Sequence, residues 1–309
     1  MLPSPFDMST PRPAETPATL PPLLVPASYN YIAAFLTLHC NLRCSYCING
    51  FGELSRSRRL LTAGEWLAGL NRLHSRPDLP ITLQGGEPSL HPGFYEIVNG
   101  VRQETALDLL TNLQFAPDLF MARVPASRLK RDAPYASIRV SYHPETMDLT
   151  ELIAKIAALL DQGYSVGVWA VEHPTSAAAI ALAEARCRAK GIDFRRKEFL
   201  GSHEGVMHGS YTFEGAVDNE RKANVECRTS EILIGPTGDL YRCHSDLYAD
   251  RAPYGHLLDP DLRIEESFRP CGEYGSCNPC DVKTKTNRFQ QFGHTSVEIR
   301  FPPPEGRHV

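Results

Sequence analysis

No apolar run in this chain of 309 residues approaches the ~20 residues that a membrane-spanning helix needs. The N-terminus also lacks the basic stretch and apolar run of a secretory signal, so the chain reads as cytoplasmic. An excess of one charge is missing as well. Lysine and arginine number 32 against 36 aspartates and glutamates, for a net charge of −4. That balance leaves no general electrostatic case for nucleic acid or an anionic membrane as partner. Residues 1–28 are rich in proline, serine and threonine without an apolar period, and read as a disordered tail. The whole chain is 42% hydrophobic, enough to bury a sizeable core in one or two domains.

Cysteine is plentiful and unevenly spread. Of nine, three stand at Cys40, Cys44 and Cys47, five at Cys227, Cys243, Cys271, Cys277 and Cys280, and Cys187 stands alone. Such grouping fits metal centres in a reducing compartment rather than a disulfide scaffold. The first group reads C-x3-C-x2-C. Three thiolates from one loop can hold three irons of a [4Fe–4S] cluster and leave the fourth iron open, as an open position is left in a catalytic metal site. A zinc site completed by the adjacent His39 is the plainer alternative, but this is an uncommon zinc spacing.

Downstream, the apolar run Ile81-Thr82-Leu83 ends in Gln84-Gly85-Gly86-Glu87-Pro88. Helical and extended patterns alternate around it. Strands are expected at 29–38, 80–84, 106–110, 135–141, 164–171 and 192–199, and helices at 63–75, 92–103, 115–122, 149–162 and 176–190. Six strands alternating with helices imply an α/β fold with a parallel sheet.

The cysteine spacing, followed by a GGEP motif after the second strand, resembles the radical S-adenosylmethionine (radical SAM) superfamily over residues 29–200. The resemblance implies a partial (β/α)6 TIM-like barrel. It implies a [4Fe–4S] cluster on Cys40, Cys44 and Cys47, with S-adenosyl-L-methionine (SAM) bound at the open iron. It places Gly85, Gly86 and Glu87 at the SAM amino group, Glu87 by a charge-assisted hydrogen bond. Asn112 and Ser141, at the ends of the third and fourth strands, become candidate SAM contacts, although each would also make an ordinary cap. Tyr46 stands where the family has an aromatic near the adenine. His143 and His173, each before a proline at a strand end, are candidates to face the substrate, His143 as a catalytic acid or base. Alternation along the sixth strand could turn an arginine of Arg195-Arg196-Lys197 into the barrel to hold a carboxylate.

The second cysteine group follows a linker at 201–226. Between Cys227 and Cys243, two short extended runs flank Gly235-Pro236-Thr237-Gly238, the chemistry of a β-hairpin that returns both cysteines to one place. Cys277-Asn278-Pro279-Cys280 is a C-x2-C knuckle. The segment 227–290 resembles the SPASM/Twitch extensions that carry auxiliary iron–sulfur clusters. A full SPASM domain needs more cysteines than the five here, so one auxiliary [4Fe–4S] cluster is expected. Cys227, Cys243, Cys277 and Cys280 are the expected ligands, and Cys271 is a spare thiol able to replace one of them. A structural zinc site has similar spacing logic. Residues 291–309 read as a loosely ordered tail.

By the resemblance, the chain is an enzyme that takes an electron from flavodoxin or ferredoxin, cleaves SAM to a 5′-deoxyadenosyl radical and abstracts hydrogen from a substrate. The auxiliary cluster would aid oxidation or substrate binding. Residues 1–28 are too short for a folded peptide-recognition domain. The expected substrate is therefore a small molecule, such as a sugar, aminocyclitol or amino acid. A peptide or protein substrate is the alternative. A non-catalytic iron–sulfur carrier or redox sensor is the alternative of another class.

Overall fold

Six parallel strands lie side by side in chain order: β1 (Tyr31–Thr37), β2 (Ile81–Gly85), β3 (Leu107–Thr111), β4 (Ile138–Tyr142), β5 (Val166–Glu172) and β6 (Asp193–Glu198). The computed structural model describes residues 20–48, 59–219, 222–286 and 293–302. Helices α1 (Ala63–Leu70), α2 (Phe94–Gly100), α3 (Pro117–Arg123), α4 (Leu149–Asp161) and α5 (Ala177–Arg188) connect successive strands. The partial (β/α)6 barrel is therefore observed.

Helix α4 shows why these segments fold as they do. Asp148 caps its N-terminus, accepting from the Glu151 amide at 2.7 Å. Leu149, Leu152, Ile153, Ile156 and Leu159 recur at helical spacing and are all buried against the sheet. Gly163, with φ of +82°, ends the helix. In α1, Thr62 and Glu65 cap each other reciprocally, at 3.3 Å and 2.8 Å.

The strands alternate between two faces. One face, with Ile32, Ala34, Leu36, Ile81, Leu83, Leu109 and Val140, packs against the helices in the main core. The other lines the barrel and is markedly polar. Buried Asp108 pairs with Arg131 at 2.9 Å and Arg139 at 3.4 Å, and Arg139 donates to Thr82 Oγ1 at 3.2 Å. These groups lie toward the strands' N-terminal ends and plug the bottom, so the C-terminal mouth is the open end.

After β6 come β7 (Ala223–Thr229), β8 (Glu231–Ile234), β9 (Asp239–Tyr241), β10 (Gly255–His256), β11 (Arg269–Tyr274) and β12 (Val297–Arg300), with the short helices α6 (His244–Tyr248) and α7 (Pro279–Val282). The expected hairpin forms as β8–β9, turning at Gly238 with φ of +93°. It is not confined to a separate extension. Strand β8 pairs in parallel with β1, from Glu231 opposite Tyr31 to Ile234 opposite Ala34. The sheet thus runs β10-β9-β8-β1-β2-β3-β4-β5-β6. A second sheet, β11-β7-β12, holds a small core of its own around Val225, Cys227, Tyr274 and Val282.

Three segments expected to be irregular are in part built into the fold. Leu23–Leu24 pairs with Leu73–His74, where helix 63–75 was expected to continue, and Leu23 is buried. The linker at 201–226 contains a hairpin, Gly201–His203 with Val206–His208, and the start of β7. The segment 291–309 supplies β12, with Thr295 and Ser296 buried before it. Of these segments, residues 1–19, 220–221, 291–292 and 303–309 lie outside the described residues.

The polar stretch after Cys280 is also built into the fold. Lys285 is fully buried and pairs with Glu231 at 3.2 Å, while Ser296 Oγ donates to the same carboxylate at 2.6 Å. This pair ties the C-terminal chain to the edge of β8. Removing one member leaves an uncompensated buried charge, which costs about 3–5 kcal/mol. Lys285→Ala is therefore expected to lower the unfolding free energy by about that amount, read as a lower midpoint in a denaturant titration. The double change Lys285→Met with Glu231→Gln is expected to recover most of the loss in the same titration.

Candidate active site

The loop carrying Cys40, Cys44 and Cys47 leaves the C-terminal end of β1 and is pinned from two sides. From β2, the Gly86 amide donates to Thr37 O at 2.9 Å and the Glu87 amide to His39 O at 2.7 Å. This approach is so close that a Cβ on Gly85 would lie 2.0 Å from Thr37 O, and one on Gly86 2.2 Å from His39 O. Only glycine fits both positions. From the loop after β4, Glu145 Oε2 accepts from Ser45 Oγ at 2.8 Å, and Thr146 Oγ1 lies 3.9 Å from Cys44 Sγ. Asn112 Nδ2 donates to Asn41 Oδ1 at 2.7 Å and faces Cys40 Sγ at 3.8 Å.

The three thiols open onto a cavity of ≈ 330 Å³ at the barrel mouth, within the range of small-molecule pockets. Gly85, Gly86, Asn112, Ser141, Tyr46 and His143 line it too. Burial raises Cys40 and pushes Cys44 up to about 11. A thiolate here calls for nearby positive charge, and iron supplies it. The donor set, its shared cavity and its electrostatics fit a cluster with SAM beside it.

Glu87 departs from expectation. It is fully buried and does not line the cavity. Its carboxylate accepts from Ser89 N at 3.1 Å, Ser89 Oγ at 2.6 Å, Thr111 Oγ1 at 2.9 Å and Asn112 N at 2.7 Å. It caps the turn at Pro88–Leu90 and ties β2 to β3, so its oxygens are committed to the protein. Burial raises its pKa. Asn112 likewise spends its amide on the cysteine loop, although it borders the cavity.

Tyr46 OH and His143 Nδ1 are 3.1 Å apart, and the Tyr46 ring stacks on His173 with centroids 5.0 Å apart. His173 stands behind Tyr46 rather than at the cavity. Burial lowers His143 to about 4, so at neutral pH it is an uncharged imidazole. No arginine of the basic run lines the cavity. Arg195 lies over Trp169, and Arg196 pairs with Glu172 and Glu184 on the outer face. Lys197 reaches the cavity instead, because it is the inward-facing position nearest the strand's end. Burial, with Arg139 and Lys283 nearby, lowers it to about 7.

The second cysteine group divides. Cys227, Cys243, Cys271 and Cys277 surround one cavity, with Arg242, Asp246 and Asp281. Cys280 turns away and lines the barrel-mouth cavity. Cys271, expected as the spare thiol, lines this cavity in the position expected of Cys280, which does not line it. Strand β11 pairs with β7 and sets Cys271 opposite Val225, near Cys227. The Cys227 and Cys271 thiols act on each other, which lowers the pKa of Cys271 and raises that of Cys227. Among the described residues, no three Cys, His, Asp or Glu side chains are placed to hold one metal ion. The four thiols line one shared space.

Between the two cavities stands a dyad that spacing did not reveal as one. His244 Nδ1 lies 2.7 Å from Asp281 Oδ1. Burial lowers the pKa of His244, but Asp281 overrides it and the net shift is upward. His244 faces the barrel mouth and Asp281 the thiol cavity. Each directly follows a cysteine, the one signal in the sequence that could have found them.

Residues 35–171 match the model of the radical SAM superfamily. Mycofactocin maturase MftC of Mycobacterium ulcerans is 24% identical over 335 residues, covering 87% of this chain and 85% of that protein. PqqA peptide cyclase of Methylorubrum populi is 39% identical over 84 residues, covering 27% of this chain. The matched stretch spans only 21% of that relative's length. Among solved structures, native anSMEcpe with bound AdoMet and Kp18Cys peptide aligns with a TM-score of 0.53 at 14% identity, over 77% of this chain and 78% of that one. Streptococcus suis SuiB bound to precursor peptide SuiA aligns with a TM-score of 0.52 at 12% identity, over 76% and 64%. These two likenesses are of fold. No helix among the described residues is long and apolar enough to cross a membrane.

Two outcomes test the geometry. Gly86→Ala forces the cysteine loop off β2, and iron is expected to fall from about eight to about four per chain in anaerobically reconstituted protein. Gly64→Ala, with nothing within 4 Å of the added Cβ, serves as the control that keeps the full load. For the second site, Cys271→Ala is expected to lower iron to about four, while Cys280→Ala retains about eight. The reverse pattern would restore Cys280 as the ligand.

Proposed function

The chain carries a radical SAM domain, and from that premise we propose that it is a radical SAM enzyme acting on a peptide, with a second iron–sulfur cluster beside the barrel mouth. The reading is carried by one observation. Cys40, Cys44 and Cys47 share a single cavity with Gly85, Gly86 and Ser141 at the C-terminal ends of parallel strands, where β/α barrels keep their chemistry. When bound, the cluster on these three cysteines and SAM supply a 5′-deoxyadenosyl radical, with the electron coming from a flavodoxin or ferredoxin.

The protein's own groups have separable tasks. The Gly86 and Glu87 amides hold the cysteine loop against β2. The Asn112 amide orients Cys40, as outer hydrogen bonds orient metal ligands. Tyr46, backed by His173, offers an aromatic face to the cavity, and His143 fixes its hydroxyl. Cys227, Cys243, Cys271 and Cys277 would hold the second cluster, within reach of the substrate through the His244–Asp281 dyad. An acceptor there suits a net oxidation of the substrate.

A peptide substrate replaces the small molecule expected from sequence. PqqA peptide cyclase, which matches over 27% of this chain, favours it by the substrate in its name.

Reduced, reconstituted protein is expected to form 5′-deoxyadenosine from SAM, and Cys40→Ala is expected to form none, as read by liquid chromatography. Absence of the product from the intact protein would favour the electron carrier. Offered perdeuterated peptides, the enzyme is expected to transfer one deuterium to 5′-deoxyadenosine, seen by mass spectrometry. Deuterium arriving only from perdeuterated sugars or aminocyclitols would return the small-molecule reading.

A further inference from the structure

The roles above leave one wall of the barrel-mouth cavity without a task. Strands β1 to β4 contribute the cysteine loop, Gly85, Gly86 and Ser141. The facing wall comes from β6 and from the chain around α7. Two ammonium groups line it, Lys197 at the end of β6 and Lys283 just after α7, together with the Cys280 thiol.

Elsewhere among the described residues several buried cations have a carboxylate partner, and buried Arg128 is held by the backbone carbonyls of Val98, Val101 and Thr105. Arg139 and Arg131 share Asp108, and Lys285 has Glu231. Lys197 is surrounded otherwise: the groups that act on it are Arg139, Lys283 and Cys280, with no carboxylate among them. Among the described residues lining the cavity, the only carboxylate is Glu198, and it accepts from Ser210 Oγ at 2.8 Å. Two like charges on a half-buried wall repel each other and are costly to desolvate. An incoming anion would remove both costs.

We propose that Lys197 and Lys283 form a carboxylate subsite for the substrate, taking an acidic side chain or the C-terminal carboxylate of a peptide. This rests on the peptide reading above and adds the chemistry by which the peptide is held. One lysine comes from the barrel and the other from the C-terminal segment, so the subsite exists only when the two are docked. SAM also carries a carboxylate. Its methionine end, however, belongs at the open iron by Cys40, Cys44 and Cys47, and β6 is the opposite edge of the six-stranded barrel from β1.

The test uses the full chain with its clusters reconstituted and SAM saturating, and reads binding rather than turnover. Lysine acetylation by an N-hydroxysuccinimide ester is followed at Lys197 and Lys283 by peptide mass spectrometry, with glutarate as the carboxylate probe, glutaramide as its uncharged counterpart and exposed Lys190 as the internal control. Saturating glutarate is expected to slow acetylation at both lysines by about tenfold, the scale of a charge-assisted contact. Glutaramide should leave it unchanged, and Lys283→Gln should weaken the protection at Lys197. Equal effects of glutarate and glutaramide would overturn the subsite. So would protection of both lysines by SAM alone with nothing added by glutarate, which would assign the carboxylate to SAM. Lys197→Gln should leave SAM affinity within about twofold of the native protein. A protein that forms 5′-deoxyadenosine yet shows no carboxylate-specific protection would lose the subsite and keep the proposed function.

Discussion

Everything at the barrel mouth depends on how closely the end of β2 meets the end of β1. Two amide hydrogen bonds, Gly86 N to Thr37 O and Glu87 N to His39 O, fasten the start of the cysteine loop to the sheet. They form because Gly85 and Gly86 have no side chain to hold the strands apart. Glu87 then turns its carboxylate inward, where four donors from the adjoining turn and from β3 satisfy it. One tripeptide thus sets the position of the cysteines relative to three strands. The glycines serve packing first, and the cavity they border is a consequence.

A polar interior completes the arrangement. Asp108, shared by Arg131 and Arg139, closes the bottom, and the mouth stays open. The C-terminal chain does not hang from the barrel as a separate module. Strand β8 adds to the barrel sheet at β1, and the chain around α7 returns to face β6, so both edges of the incomplete barrel meet C-terminal residues. The His244–Asp281 contact and the buried Lys285–Glu231 pair lie at this junction.

The division of the five late cysteines follows from the same docking. Cys277 and Cys280 stand on either side of the cap of α7, so their side chains leave in different directions. Cys277 joins Cys227, Cys243 and Cys271 around the inner space, and Cys280 looks into the barrel mouth. A C-x2-C knuckle read along the chain suggests two ligands for one centre. Here Cys277 precedes the cap of α7 while Cys280 stands in its first turn, and the start of the helix separates them instead.

Much of the barrel was legible along the chain, because its signals are local. Apolar residues at helical spacing in α4, strand runs ending in polar residues and the caps at Thr62 and Asp148 are all short-range features. The first cysteine loop and the two glycines after β2 were legible for the same reason, since spacing within a loop sets which thiols can share a centre. What only the tertiary structure decided involves residues far apart in the chain. The buried partner of Lys285 is 54 positions away, and only pairing makes its burial affordable. Cys271 owes its place to the register of β11 on β7, and Lys197 owes its own to which face of β6 turns inward. Glu87, chosen from its motif as a ligand contact, is claimed by donors that the motif does not contain. Local pattern determines which elements form and which thiols stand ready. The desolvation and pairing of charged groups, which depend on what the fold brings beside them, determine what each one does.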